Sequence, residues 1–355
     1  MTSGALLCYN KPNYWGWLCV RLERVLVERE LTQGEAPRGE FYAGDVQTLA
    51  PALLEKYAGK AQLIYLDPPF LTGETFVMRT RVGEKDWKKG TGSLVQTAYR
   101  DDLSPESHYA LIRSALETAR ALLSESGVLF LHVDSRTSAR ARLIADEIFG
   151  EANFLNEIIW AYQTGGRARR YFSRKHDNIF FYRKGRRYFF NISAVPIERS
   201  GARRNHMKRH VDTDGRVYRS IRSGGKIYTY YDDDPAYPGD VWDDVSHLQQ
   251  KDPQRTGYDT QKPLSLMTRI VRCASRPGDL VMDLFAGSGT TLEAARLEGR
   301  RFVGVDLSPL SHQTVRKRLM GAQMLFEAPP SEGDPAVRCS MLPGVGFYEI
   351  SLDGY

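Results

Sequence analysis

Short apolar runs alternate along most of this chain with stretches in which apolar residues recur every three or four positions. GEFYAGD (Gly39 to Asp45) reads as a short strand ending at a turn, and VQTLAPALLEKYAG as a helix with Pro51 in its first turn, where a missing N–H is tolerated. AQLIYL (Ala61 to Leu66) follows as a buried strand. SPESHYALIRSALETARALLSES predicts a helix over Ser104 to Ser126: Ser104 is an N-cap, Pro105 takes the first helical position and Glu106 puts an acid in the first turn. GVLFLHVD is the next strand, SRTSARARLIADEIFG the next helix, and FLNEIIWAY and NIFFYRK are two further strands around a basic loop. After a long irregular interval the alternation resumes: helix LSLMTRIVRCAS, strand DLVMDLF, helix TTLEAARLEG, strand RRFVGVDLS and helix LSHQTVRKRLM. Strands alternating with helices imply an α/β fold with a mostly parallel sheet.

The pattern breaks in three places. From DPPF to about Leu103 the chain is rich in Gly, Thr and Lys and reads as a long functional loop. From Gly185 to about Tyr258 it turns to Arg, Gly, Tyr and Asp with little helical period, the mark of an insertion into one main domain. Beyond Gly321 the periodicity assigns no role. With 355 residues, 42% of them hydrophobic, a buried core is well supplied. No apolar run reaches membrane-spanning length, and the N-terminal stretch mixes Asn, Lys and Pro into its apolar residues, so the expectation is a cytoplasmic protein without a signal peptide. Cys8, Cys19, Cys273 and Cys339 lack metal-ligand spacing and read as reduced structural thiols, with no metal site.

Charge sharpens the insertion. Between Tyr162 and Tyr230 there are 18 Lys and Arg against 4 Asp and Glu, a local +14 in a chain whose total is +6, which leaves −8 for the rest. Aromatic residues (Tyr171, Phe172, Tyr188, Phe189, Tyr218, Tyr228) interleave with the basic ones, the composition of a nucleic-acid contact confined to one face.

The candidate chemistry lies at strand ends. In DLFAGSGTT a strand ending in Asp283 passes through Gly287 and Gly289 into a helix, leaving backbone N–H groups open to a nucleotide-like ligand. The dinucleotide pattern wants a third Gly where Leu292 stands, and the phosphate-binding loop wants a Lys that is absent. The turn also suits a ligand with an amino-acid end and no phosphates, such as S-adenosylmethionine, and taken alone it could be a plain strand-helix turn. Asp306 of GVDLSP ends the next strand, about twenty residues on, where an acid accepts from ribose hydroxyls or caps the following helix. DPPF is a stiff extended turn after a buried strand. Its Asp67 carboxylate and Pro68 carbonyl can accept from an exocyclic NH₂, and Phe70 offers a stacking face. Such bonds hold a poorly nucleophilic aromatic amine near tetrahedral geometry.

DPPF, FAGSGTT and TQKP together resemble the signature motifs of the amino-group DNA methyltransferases, which methylate N6 of adenine or N4 of cytosine, and their order resembles the beta class. The resemblance covers about Phe41 to Met320. It implies a circularly permuted Rossmann-like, S-adenosylmethionine-dependent α/β sheet with helices on both faces and an inserted target-recognition region. It divides the chain into a catalytic half (38–184), a recognition insertion (185–258), a cofactor half (259–321) and terminal extensions of unassigned role (1–37 and 322–355). By the same resemblance Asp67, Pro68, Pro69 and Phe70 serve the target amine. Phe285, Gly287 and Gly289 surround the cofactor's methionine part, Asp306 its ribose and Asp45 its adenine. Lys262 and Pro263 lie beside that pocket, and Asp283 either takes the cofactor ammonium or braces the turn. Many family members have Tyr where Phe70 stands; stacking survives and a hydroxyl hydrogen bond is lost.

The insertion then serves duplex DNA, with Arg203, Arg204, Asn205, Lys208 and Arg209 as its densest basic cluster and the target base flipped toward Phe70. The DPP form favours adenine N6 over cytosine N4. RNA or a protein glutamine are the competing acceptors. Cytosine C5 chemistry would need a Cys after Pro, which the chain lacks, and a nicotinamide-dependent dehydrogenase conflicts with the missing third Gly. No nuclease pattern stands out, so a restriction endonuclease partner would be a separate chain; a homodimer is a further candidate assembly.

Overall fold

The computed structural model describes residues 5–10, 17–27, 39–73, 75–81, 93–100, 103–162, 168–198, 207–249, 252–258, 260–320 and 345–352. The first half holds strands β1 (Ala5–Asn10), β2 (Trp17–Val27) and β3 (Gly39–Ala43), helix α1 (Val46–Tyr57), strands β4 (Ala61–Leu66), β5 (Thr75–Arg81) and β6 (Ser93–Arg100), helix α2 (Pro105–Leu122), β7 (Leu123–Val133), α3 (Ser138–Phe149), β8 (Phe154–Ala161) and β9 (His176–Arg183). The second half holds β10 (Lys208–Val211), β11 (Val217–Ser223), β12 (Lys226–Tyr231), β13 (Val241–Trp242), α4 (Leu264–Ala274), β14 (Leu280–Asp283), α5 (Thr290–Leu297), β15 (Arg301–Asp306), α6 (Pro309–Met320) and β16 (Val345–Leu352).

One eleven-stranded sheet runs in the order β1-β2-β16-β3-β15-β14-β4-β7-β9-β8-β13. Its centre is parallel: β3 pairs with β15, β15 with β14, β14 with β4 and β4 with β7. Early strands therefore lie beside late ones. Val281 is level with Leu63 and Asp283 with Tyr65, so two motifs two hundred residues apart in sequence end side by side. All six residues of β4 and all four of β14 are buried, as parallel strands covered on both faces require. Leu49, Leu53, Ile64, Leu66, Ile112, Leu116, Leu129 and Leu131 form the body of the core between this sheet and the helices. Among the described residues no helix is long and apolar enough to cross a membrane.

Several expectations need correction. Pro51 is the sixth residue of α1 and lies in its second turn, where the missing N–H removes one helical hydrogen bond. Helix α2 starts as predicted, with Ser104 Oγ accepting from the Ser107 N–H at 3.2 Å. It stops at Leu122, because Leu123 to Ser126 open strand β7 instead. Gln62 on the neighbouring β4 fixes that change: its Nε2 donates to the Ser126 carbonyl at 2.8 Å, and Ser126 Oγ donates back to its Oε1 at 2.9 Å. The stretch after DPPF is not a loop throughout. Strands β5 and β6 form an antiparallel pair from Thr75↔Arg100 to Arg81↔Ser93. The terminal segments also have a place, since β1, β2 and β16 extend the sheet beyond β3.

Residues Asn191–Gly239 form a separate compact unit within the 185–258 interval, built on the antiparallel sheet β10-β11-β12. The acidic, aromatic GDVWDDV that follows belongs to the larger unit from Asp240 onward. There β13 pairs with β8, Trp242 is buried under the Arg269 guanidinium at 5.0 Å from its ring centre, and Arg269 Nη1 donates to Asp244 at 2.9 Å.

Candidate active site

Four carboxylates close the C-terminal ends of four adjacent parallel strands: Asp45 after β3, Asp306 on β15, Asp283 on β14 and Asp67 after β4. In an open α/β sheet this is where ligands bind. A cavity of about 360 Å³ opens there and is lined by all four, together with Phe70, Lys262 and the turn Phe285 to Ser288.

The glycine turn is shaped by its backbone. Gly287 and Gly289 have φ of 50° and 77°, the left-handed region that only glycine enters without strain. At Gly289 a Cβ would also meet Val315 Cγ2 at 2.7 Å, so α5 can pack on α6 only with glycine there. Asp306 braces the turn: its Oδ2 accepts from the Gly287 N–H at 2.7 Å and its Oδ1 from Ser308 N–H at 2.8 Å. Asp283 Oδ1 accepts from Phe285 N–H at 3.0 Å. Burial pushes the Asp283 carboxyl up to about 7, with the charges of Asp67 and Asp306 adding to the rise and the hydrogen bonds from Thr291 and Phe285 opposing it. Burial likewise pushes Asp306 up to about 6 against the bonds from Ser308 and Gly287. Asp45 stands at the N-cap of α1 and makes no cap bond there; Thr48 Oγ1 reaches its Oδ2 at 3.4 Å.

Asp67 to Phe70 run without regular structure out of β4 and line the same cavity. Leu71, next in the chain, has φ of 53° and is the sole non-glycine residue with positive φ among those described. A bulky residue persists in that region only where its surroundings impose it, and such outliers gather at functional sites. Lys262, expected beside the cofactor pocket, lines the cavity and donates from Nζ to Asp67 Oδ2 at 2.6 Å. Pro263 is the N-cap of α4.

Behind Phe70 lies a buried polar chain that periodicity does not reveal. Tyr65 Oη and His132 Nδ1 are 2.6 Å apart, His132 Nε2 lies 3.1 Å from Asp177 Oδ2, and Tyr162 Oη donates to Asp177 Oδ1 at 3.1 Å. The Phe70 ring centre is 6.0 Å from that of His132. Burial alone would raise the Asp177 carboxyl, but the bonds and charges of His132, Lys262 and Tyr162 hold it below the usual carboxylate range. The available signal was a polar residue inside each of three apolar strands: Tyr65 before DPPF, His132 in LFLHVD and Asp177 in HDNIFF.

Of the basic cluster expected to meet DNA, Arg203, Arg204 and Asn205 lie outside the described residues. Lys208 and Arg209 are exposed on β10 of the small unit and, being adjacent on a strand, point to opposite faces of its sheet. Arg209 shares a face with Arg219 and Tyr230, its neighbours across the ladder, and with the next rung, Ile221 and Tyr228. Tyr228 and Tyr230 are each 45% exposed. Arg219 Nε donates to Asp232 Oδ1 at 3.0 Å, and on the other face His210 stacks on Tyr218 at 4.9 Å and bonds Ser220 Oγ at 2.9 Å. Cys273 is buried, which pushes its thiol up to about 12 and leaves it inert at neutral pH.

A family model described as DNA methylase, covering N6 and N4 methyltransferases, matches residues 61–317, from the first residue of β4 into α6. The chain belongs to this DNA methylase family. Among curated DNA methylase relatives it is similar to the type II methyltransferase M.EcaI of Enterobacter cloacae, 28% identical over 305 residues that cover 73% of this chain and 64% of that protein. It is also similar to the DNA adenine methyltransferase YhdJ of Escherichia coli K12, 26% identical over 255 residues covering 71% and 73% of the two chains. The chain thus spans just under two thirds of M.EcaI. Among solved structures, the cytosine-N4-specific PvuII DNA methyltransferase shares the fold, with a TM-score of 0.52 over 82% of this chain and 91% of that one at 14% identity.

Proposed function

We propose that this DNA methylase transfers a methyl group from S-adenosylmethionine to the exocyclic N6 amine of an adenine flipped out of duplex DNA. The observation that carries the reading is that the DPPF turn, the glycine turn and the four carboxylates line one cavity. S-adenosylmethionine is cationic at both its sulfonium and its ammonium. A pocket whose two acids, Asp283 and Asp306, are pushed up by burial fits such a ligand, because a cation beside them would favour their ionised forms. Bound there, it supplies an electrophilic methyl group.

The remaining chemistry belongs to this chain. Asp283 and the turn Phe285 to Gly289 hold the amino-acid end of the ligand, while Asp45 and Asp306 stand at the strand ends next to it for the nucleoside. Phe70 stacks the flipped base. Asp67 and the Pro68 carbonyl accept the two N–H bonds of its amine, keeping the nitrogen lone pair out of the ring and available for in-line attack, and Asp67 is the acceptor for the proton that the amine then sheds. No covalent enzyme intermediate is needed.

The small unit supplies the duplex contact. Arg209, Tyr228 and Tyr230 combine positive charge with exposed rings on one sheet face, the pairing that suits phosphates and unstacked bases. The DPP form of the turn favours adenine, in keeping with the similarity to an adenine-specific relative. Cytosine N4 offers the same kind of amine to the same acceptors and is the second reading. Single-molecule sequencing of genomic DNA from cells expressing wild type or Asp67→Ala decides: a sequence motif carrying N6-methyladenine only with the wild type supports the proposal. N4-methylcytosine selects the second reading, and unmodified DNA from soluble protein defeats both.

A further inference from the structure

Lys262 is separated from Asp67 by 195 positions, yet its Nζ donates to Asp67 Oδ2 at 2.6 Å with both side chains largely buried, 12% and 15% exposed. The two oxygens of that carboxylate are unlike. Oδ2 is taken by the ammonium, whereas Oδ1 is buried and has no hydrogen-bond partner among the described residues. A buried carboxylate oxygen without a donor is unfavourable and persists where something else fixes the group in place.

What fixes it is itself held rigidly. Gln261, 3% exposed, donates from Nε2 to the Gln254 carbonyl at 2.7 Å and accepts from Thr256 N–H at 2.8 Å and Thr256 Oγ1 at 2.9 Å. The Lys262 carbonyl accepts from Thr290 Oγ1 at 3.2 Å, and Thr290 Oγ1 in turn accepts from Arg318 Nη1 at 2.6 Å. The Lys262 backbone is therefore tied both to the preceding turn and to the first residue of α5, beside the glycine turn. Its Nζ also lies 5.0 Å from the Phe70 ring centre, so one cation faces both the acceptor and the stacking surface.

We infer that Lys262 is a positioning residue for methyl transfer: it anchors Asp67 through Oδ2, keeps that carboxylate oriented, and leaves Oδ1 as the oxygen that accepts an N–H of the target amine. This rests on the proposed amine methylation and deepens it, because it moves Lys262 from the cofactor's surroundings to the acceptor's. By linking the DPPF turn to the base of α5 it also couples the two halves of the site.

The test is a double-mutant cycle on purified full-length protein, measuring methyl transfer to duplex DNA together with S-adenosylmethionine and DNA affinities. Lys262→Met is expected to lower kcat tenfold or more while both affinities change less than about threefold, and the Lys262→Met/Asp67→Ala double variant is expected to be no slower than Asp67→Ala alone. Should Lys262→Met be insoluble, Lys262→Gln carries the same comparison. A tenfold loss of S-adenosylmethionine affinity with kcat retained would return Lys262 to the cofactor and overturn the inference, as would multiplicative losses in the double variant. An inactive Asp67→Ala beside a fully active Lys262→Met overturns the inference alone, whereas a wild type that methylates no DNA overturns the proposed function with it.

Discussion

The sheet centre and the small 191–239 unit solve opposite problems. At the centre, β3, β15, β14 and β4 bury nearly every side chain and leave their acids at one end, so each functional group is located by backbone and packing. In the small unit, β11 and β12 expose most of their side chains, and the positions of Arg209, Arg219 and Tyr230 follow from ladder register. The first construction suits the proposed alignment of reacting atoms, and the second suits the proposed contact with a long polyanion. Substitutions in the centre should therefore change rate or stability, and those in the small unit should change DNA affinity alone.

The sharpest way to break that contrast is at Asp67. Asp67→Ala should cut turnover by roughly 10²- to 10³-fold, comparable with losing one aligned hydrogen-bonding group at a reacting centre, while S-adenosylmethionine affinity stays within about threefold. Next comes Gly289→Ala, which combines a φ of 77° with a Cβ 2.7 Å from Val315 Cγ2. It should destabilise the fold by about 1–3 kcal/mol in urea titration and weaken cofactor binding, since the turn has to open to admit the methyl.

A subtler prediction uses the buried acids. Asp283 and Asp306 are raised to about 7 and about 6, above the values they take in the unfolded chain. Their contribution to stability is thus fully present below the ordinary carboxyl value of 3.8 and is lost as pH rises from there through about 6 and about 7, because the folded state binds more protons over that interval. Affinity for a cationic ligand runs the other way and should strengthen over the same interval. Thermal melts of the ligand-free protein from pH 5 to 8 should show Asp283→Asn flattening the loss of stability, and calorimetric titration with S-adenosylmethionine should show the same substitution flattening the gain in affinity.

The smallest effects belong to the exposed sheet. Tyr230→Ala should weaken duplex binding by about 1–3 kcal/mol with melting temperature unchanged. Lys208→Ala, on the opposite face, should do less, and a larger effect from Lys208 than from Tyr230 would reverse the assignment of faces.

How much of this was legible in the sequence varied with the range of the interaction. Elements set by local pattern read correctly: the Ser104 cap, the apolar runs of β4 and β14, and the glycine turn with Asp306 one strand later. The β5-β6 pair escaped because its strands mix Arg and Thr with apolar residues and show no clean alternation. The end of α2 escaped because Gln62, on another strand, decides where helix yields to β7. The Asp67–Lys262 pair and the Tyr65–His132–Asp177 chain join positions far apart in sequence and leave no periodic trace. Lys262 was recognised as part of a motif, but its partner was not. That only the fold could supply.

Whether one cavity presents a base amine to a methyl donor through Asp67 is decided by incubating purified wild type and Asp67→Ala with S-adenosylmethionine carrying an isotopically labelled methyl group and duplex DNA. The DNA is then digested to nucleosides for mass spectrometry, alongside a binding titration of the same ligand to both proteins. Labelled N6-methyldeoxyadenosine is expected from the wild type alone, with equal ligand affinity in the two. Equal loss of binding and of product in Asp67→Ala would put that carboxylate in the cofactor's pocket and contradict its assignment to the base amine.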